Sequence, residues 1–158
     1  MRVEESIIIN RSSAEVFAFF DNRTNDTKWM RTVLESEWLD PGTTTQLGRR
    51  GRFVMNAMGR RKFTDEVTEY EPGRIVAHQF VSEPMVFHSG CIAERAGDGC
   101  RTTVWFEPDR LPGGIFGRLA APLTLRIVRR NFKADLARLK TILEAEQRET
   151  SADEQVGP

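Results

Sequence analysis

His78 and Asp65 are the first pair in this chain whose types and separation could do chemistry, and Ser89 follows within reach. Hairpin geometry, derived below, puts Asp65 and His78 diagonally across neighbouring strands on one face, and a tight turn at Ser82-Glu83-Pro84 places Ser89 beside His78 on the next strand. A carboxylate, an imidazole and a hydroxyl in an apolar setting can move protons on an enolisable or dehydrating substrate, because imidazole gains or loses its proton near neutral pH. The same three groups can instead satisfy one another or line a wet cavity mouth. Ser89 has no strained elbow and no Gly-rich oxyanion loop nearby, so the pattern is not that of a hydrolase triad. Cys91 also points inward; among Val and Ala it reads as a small hydrophobe with a raised pKa rather than a nucleophile. His88 points outward and pairs with Glu107.

Other chemistries find little support. Two histidines and two cysteines without CxxC or HExxH spacing make no metal site. No Gly-rich loop sits between a strand and a helix, so no phosphate cradle and no cofactor is expected. The 23 Lys plus Arg balance 23 Asp plus Glu, which gives no global field toward nucleic acid or an anionic surface. No apolar run approaches the roughly 20 residues that span a bilayer, and the first residues lack the apolar core and cleavage site of a signal peptide. A cytoplasmic address with free thiols follows as the expectation.

The elements that must position these residues are legible from turns and periodicity. Residues 3–9 end in an Ile-Ile-Ile run that reads as a strand. Ser12 and Glu15 form a capping box for a helix carrying Val16, Phe17, Phe19 and Phe20. A second short helical piece near Asp26–Met30 carries Trp29, and Val33–Leu39 alternates as the next strand. From there to residue 109 the chain reads as consecutive hairpins. The turn Glu71-Pro72-Gly73-Arg74 sets Val67 opposite His78 and Asp65 opposite Phe80. Phe63, Asp65, Val67, Val76, His78 and Phe80 then share the buried face. The turn Ala96-Gly97-Asp98-Gly99 pairs Glu94 with Arg101, His88 with Glu107 and Gly90 with Trp105 on the outer face. Phe87, Ser89, Cys91, Ala93, Thr102, Val104 and Phe106 face inward. Several of these are small, so the inner face leaves room for a cavity.

After Pro112-Gly113-Gly114, Leu125, Val128, Phe132, Leu136, Leu139 and Leu143 form one stripe of a long helix. Pro122 predicts a kink or break, with residues 115–121 pointing differently from the rest. One domain is expected over 1–146, with 147–158 a disordered tail.

The stretches Ile7–Phe17, Trp29, Val67–Arg74 and Gly97-Asp98-Gly99, in this order and spacing before a long helix, resemble the START-like or Bet v 1-like superfamily (SRPBCC), in its polyketide cyclase/dehydrase branch. The resemblance covers about residues 3–145. It implies an α+β helix-grip fold: a curved seven-stranded antiparallel sheet around a long C-terminal helix, with two short helices after the first strand. It also implies an internal apolar cavity for a small hydrophobic molecule such as a lipid, a quinone or an aromatic polyketide. No catalytic residue set is shared across that superfamily. Trp29, Phe53, Met55, Phe63, Phe80, Phe87, Ser89, Cys91, Val104 and Phe132 are the residues expected around the ligand.

Three functions from different classes remain in play. The first is a binder of that hydrophobic molecule. The second is a cyclase or dehydratase with His78 and Asp65 as acid-base residues. The third is a protein-interaction module built on the basic hairpin Arg49, Arg50, Arg52, Arg60, Arg61 and Lys62, whose tip is Ala57-Met58-Gly59. Such a run of charge is more often a solvated edge kept from aggregating. A homodimer is compatible with all three.

Overall fold

Ser12 opens the first helix as its spacing requires. Its side chain accepts from the Glu15 backbone N–H at 3.3 Å, and the Glu15 carboxylate accepts from the Ser12 N–H at 3.1 Å. In the computed structural model, which describes residues 1–56, 59–110 and 113–156, strand β1 (Val3–Ile9) runs into helix α1 (Ser13–Asp21). A single 3-10 turn, Arg23–Asn25, leads to the short helix α2 (Asp26–Trp29). Six strands follow: β2 (Val33–Trp38), β3 (Arg50–Asn56), β4 (Arg60–Glu71), β5 (Ile75–Ser82), β6 (Met85–Ala96) and β7 (Gly99–Arg110). Helix α3 (Gly114–Gln155) closes the chain. All strand pairs are antiparallel, in the spatial order β1-β7-β6-β5-β4-β3-β2. This is the helix-grip architecture.

The hairpin registers match expectation where the site lies. Val67 faces His78, Asp65 faces Phe80, Gly90 faces Trp105 and Glu94 faces Arg101. Nearer the first turn the register slips by one residue, between Val67 and Glu69, so that Glu71 pairs with Ile75 and not with Arg74. Residues 72–74 form the loop instead, with Gly73 at φ 82° and the Arg74 N–H donating to the Glu71 carbonyl. The slip keeps Tyr70 opposite Val76.

Two apolar clusters lie between sheet and helices. One holds Ile9, Val16, Phe17, Phe20, Trp29, Val76, Ala93, Val104 and the stripe Leu136, Leu139 and Leu143. The other holds Val3, Val33, Leu125 and five phenylalanines: Phe53, Phe63, Phe80, Phe87 and Phe106. Met30 and Phe132 pack against both. Helix α3 is fastened to the first strand and its loop by Lys140 Nζ donating to the Ile8 carbonyl, Arg11 to the Leu143 carbonyl, and the Asn10 N–H to Glu144.

One expectation about α3 is corrected, the break at Pro122. The helix runs unbroken through Pro122; the residues before Pro122 are mostly exposed, so the backbone hydrogen bond lost there costs little in packing. It also continues to Gln155, past the boundary expected at 146. Residues 147–155 contain no Gly or Pro, and Gln147, Arg148, Glu149, Ala152, Glu154 and Gln155 are tolerant of helix, so the helix continues there without an apolar stripe.

Candidate functional site

On the concave face the inward positions of each strand change character at the same level. Along β4 they run Phe63, Asp65, Val67; along β5, Phe80, His78, Val76; along β6, Phe87, Ser89, Cys91. A polar diagonal of Asp65, His78 and Ser89 therefore crosses the sheet, with stacked phenylalanines on one side and small or β-branched residues on the other. The Phe80 and Phe87 rings stack at 4.9 Å between centroids, and Phe63 and Phe106 meet Phe87 at 5.4 and 4.9 Å.

Asp65 is the anchor of this diagonal. Its carboxylate accepts from His78 Nδ1 at 2.9 Å and takes both terminal nitrogens of Arg23, one at 2.9 Å and the other closer. Arg23 and Asp65 are buried. Burial pushes the Asp65 carboxyl up, but the hydrogen bonds from His78 and Arg23, with their charge, outweigh it and hold the carboxyl below its usual value. An ionised carboxylate only accepts, so Nδ1 carries a proton toward Asp65, and whenever the ring is in its neutral form Nε2 is the lone-pair acceptor. Among the described residues Nε2 has no partner, and the His78 side chain keeps 17% of its surface accessible.

Arg23 was not singled out by sequence reasoning, nor was Trp38. The guanidinium lies 4.6 Å from the centre of the Trp38 ring and within hydrogen-bond reach of the Arg52 carbonyl. Trp38 in turn stacks near His78, with 6.4 Å between ring centres. The room for Arg23 comes from Gly51, the partner of both Trp38 and Asp65: a Cβ there would lie 2.5 Å from the guanidinium. A glycine in mid-strand opposite an inward carboxylate is the one sequence signal that points to a side chain crossing at that place.

Ser89 is brought beside His78 by register but not by hydrogen bonding. Its hydroxyl donates to the Trp105 carbonyl at 2.7 Å. Cys91 is a free thiol, and burial pushes it far up, with Asp26 adding to the effect. Asp26 itself is buried and accepts from the Ser36 hydroxyl at 2.6 Å; burial raises its carboxyl to about 7 despite that bond and the nearby Arg23. The Trp29 indole N–H is buried and meets no protein acceptor among the described residues. Of the residues expected around a ligand, Phe53, Met55, Phe63, Phe80 and Phe87 gather in the phenylalanine cluster. Trp29, Cys91 and Val104 lie on the other side of the polar diagonal, and Phe132 spans both. Two surface depressions, of about 460 and 510 Å³, lie at the two ends of α3 and include none of these residues.

Two outer-face expectations change. His88 faces Glu107 in register but bonds Asp109 at 3.1 Å, and Gln79 lies beside it at 3.3 Å. The basic hairpin is paired in part. Arg49 is buried and donates to the carbonyls of Asp40, Gly42 and Thr44. Arg50 pairs with Asp40, Arg52 with Glu35 and Glu37, and Arg60 with Glu35. Glu35, Glu37 and Asp40 on and just after β2 supply the acids that hairpin spacing alone did not reveal. Ala57 and Met58, at the tip, lie outside the described residues. Also among the described residues, no group of His, Cys, Asp and Glu side chains is arranged to hold a metal ion.

The family described as polyketide cyclase/dehydrase and lipid transport matches residues 1–144, nearly the whole chain. The chain belongs to this family. Solved structures share its fold at low identity. Protein TTHA0849 of Thermus thermophilus is 17% identical with a TM-score of 0.76, over 92% of this chain and 99% of that one. The Zhui aromatase/cyclase of a Streptomyces species is 17% identical with a TM-score of 0.74, over 94% of both chains. The di-domain ARO/CYC BexL of the BE-7585A biosynthetic pathway is 17% identical with a TM-score of 0.69, over 91% of this chain and 46% of that one. No curated protein matches. Membership in the polyketide cyclase/dehydrase and lipid transport family carries no residue roles to this chain, so the site rests on its own geometry.

Proposed function

We propose that the protein binds a small hydrophobic molecule bearing at least one polar oxygen on the concave face between sheet and α3. The observation that carries this reading is the polar diagonal Asp65–His78–Ser89 set between two apolar clusters, with the Nε2 of His78 unpartnered among the described residues. A mostly apolar surface with a few fixed polar groups is what orients a ring-bearing or acyl ligand. Family membership and the aromatase/cyclase neighbours support the ligand class. The unpaired Trp29 N–H would meet a carbonyl or hydroxyl of such a ligand.

A second reading follows from the Asp65–His78 hydrogen bond. With Nδ1–H fixed on a carboxylate, Nε2 can accept a proton from an enolisable carbon or hydroxyl, while Asp65, itself held in place by Arg23, orients the ring and faces the imidazolium that forms. That is the acid-base half of a cyclisation or dehydration.

Native mass spectrometry of the purified protein after stripping, offered a lipid and aromatic library, tests both. Wild type is expected to retain a hydrophobic species that Ser89→Phe loses, circular dichroism showing both folded. Chemical change of that species, abolished in His78→Ala, supports the enzyme. Equal retention by the two proteins would place the ligand elsewhere, and no retention by wild type would remove the binding proposal.

A further inference from the structure

Helix α3 has a second apolar face that is largely exposed to solvent. Ile115, Phe116, Leu119, Leu123 and Ile127 are 77%, 83%, 75%, 63% and 48% exposed. Ile115, Leu119, Leu123 and Ile127 recur every fourth residue, so they drift only about 40° per step and form one stripe, with Phe116 beside it. Leu125, Val128 and Phe132, which pack on the phenylalanine cluster, lie on roughly the opposite side of the same helix. Single exposed hydrophobes need no account, but five on one stripe do.

Charge says what this stripe fits. From residue 114 to 134 the helix carries Arg118, Arg126, Arg129, Arg130 and Lys133 and no acid; the first is Asp135. Arg129 is taken by Glu5 at 3.2 Å. Arg118, Arg126, Arg130 and Lys133 make no ion pair among the described residues. Arg126 and Arg130 fall in the same angular sector as the apolar stripe, one to two turns further along. The molecule as a whole is balanced, with 23 cations and 23 anions, so this segment is a local positive excess on a hydrophobic face. We infer that the N-terminal half of α3 is a docking surface for an anionic lipid bilayer, lying in the interface plane with its side chains inserted and its arginines on the headgroups. An apolar stripe immersed to headgroup depth gains burial, and neighbouring Lys and Arg gain attraction to acidic lipid. A second copy of the chain would present the same cations and no acid from residues 114–134, with Asp109 beside Ile115 and Arg118 at the helix's start. No helix among the described residues is long and apolar enough to cross a membrane, which leaves surface association as the mode for α3. The inference does not depend on the ligand reading, since the stripe faces away from the concave site.

Flotation with phosphatidylcholine vesicles, with and without roughly one-third phosphatidylglycerol, tests it. Wild type is expected to float with the anionic vesicles and to detach as salt rises. Leu119→Asp/Leu123→Asp and, separately, Arg126→Glu/Arg130→Glu are each expected to weaken binding at least about tenfold, with thermal melting unchanged because the side chains face solvent. Failure to float with either vesicle overturns the inference, as does equal binding to both compositions or undiminished binding by either variant. Light scattering covers the competing occupant: a dimer that Leu119→Asp/Leu123→Asp dissociates, without vesicle binding, assigns the face to a second copy instead.

Discussion

Removing the Asp65 carboxylate would leave a buried guanidinium without its counter-charge. The Arg23–Asp65 pair is dry on both sides, with side chains 6% and 0% exposed, so Asp65→Asn is expected to cost about 3 kcal/mol in urea denaturation. A loss under about 1 kcal/mol would mean that Arg23 finds another partner and that the diagonal is not held by this residue. Asp26 predicts a pH dependence of the opposite hand to Asp65. Its folded-state value of about 7 lies above the usual carboxylate value, so the folded protein holds this proton more tightly than the unfolded chain. The stability it contributes is complete below about pH 4 and is lost as pH rises toward about 7. Asp65, held low, contributes stability above about pH 4 that is lost as pH falls. Melting curves of wild type and Asp26→Asn between about pH 5 and 8 separate the two: the substitution is expected to flatten the decline with rising pH, and identical slopes would contradict the assignment. At this scale the sequence exposed His78, Asp65 and Ser89 as neighbours, because period-2 alternation and the turns at Glu71-Pro72-Gly73-Arg74, Ser82-Glu83-Pro84 and Ala96-Gly97-Asp98-Gly99 fix which side chains share a face. It did not expose Arg23 or Trp38. Arg23 sits in a short 3-10 turn, forty-two residues from Asp65 along the chain, and no local periodicity reports a contact of that reach.

Among the elements, β3 is the one whose sequence is set by a distant side chain. Gly51 interrupts the run Arg50–Asn56 at the position where Arg23 crosses to Asp65. Gly51→Ala would drive a methyl into the guanidinium. It is expected to cost about 1–3 kcal/mol and to shift the His78 ring signals in NMR, since the carboxylate holding Nδ1 would lose its fixed position. Unchanged His78 signals would show that Arg23 relaxes without disturbing Asp65. The strands and capping box were readable because turn residues and alternation are local. The one-residue slip at Thr68 was not, since Pro72-Gly73 accommodates either a two- or a three-residue loop. Likewise α3 reads as one periodic stripe from Leu125 onward, while a proline in its third turn suggests an end that the helix does not take.

For the whole molecule, sheet and helix are held apart by the five phenylalanines and the Leu136–Leu143 stripe, and the polar diagonal occupies the seam between them. The architecture was legible because order, spacing and turn chemistry agreed with each other. The occupant was not, because an apolar concave surface constrains size and polarity and leaves identity open. The most direct test is a methyl NMR titration of methionine-labelled protein with 1-naphthol, a bicyclic aromatic carrying one hydroxyl. Met30, Met55 and Met85 pack against the phenylalanine cluster, Met30 touches both clusters, and Met1 is exposed. A concave-face site predicts saturable shifts at Met30, Met55 and Met85, with Met1 unmoved. Shifts confined to Met1, or none at saturating 1-naphthol, would contradict it.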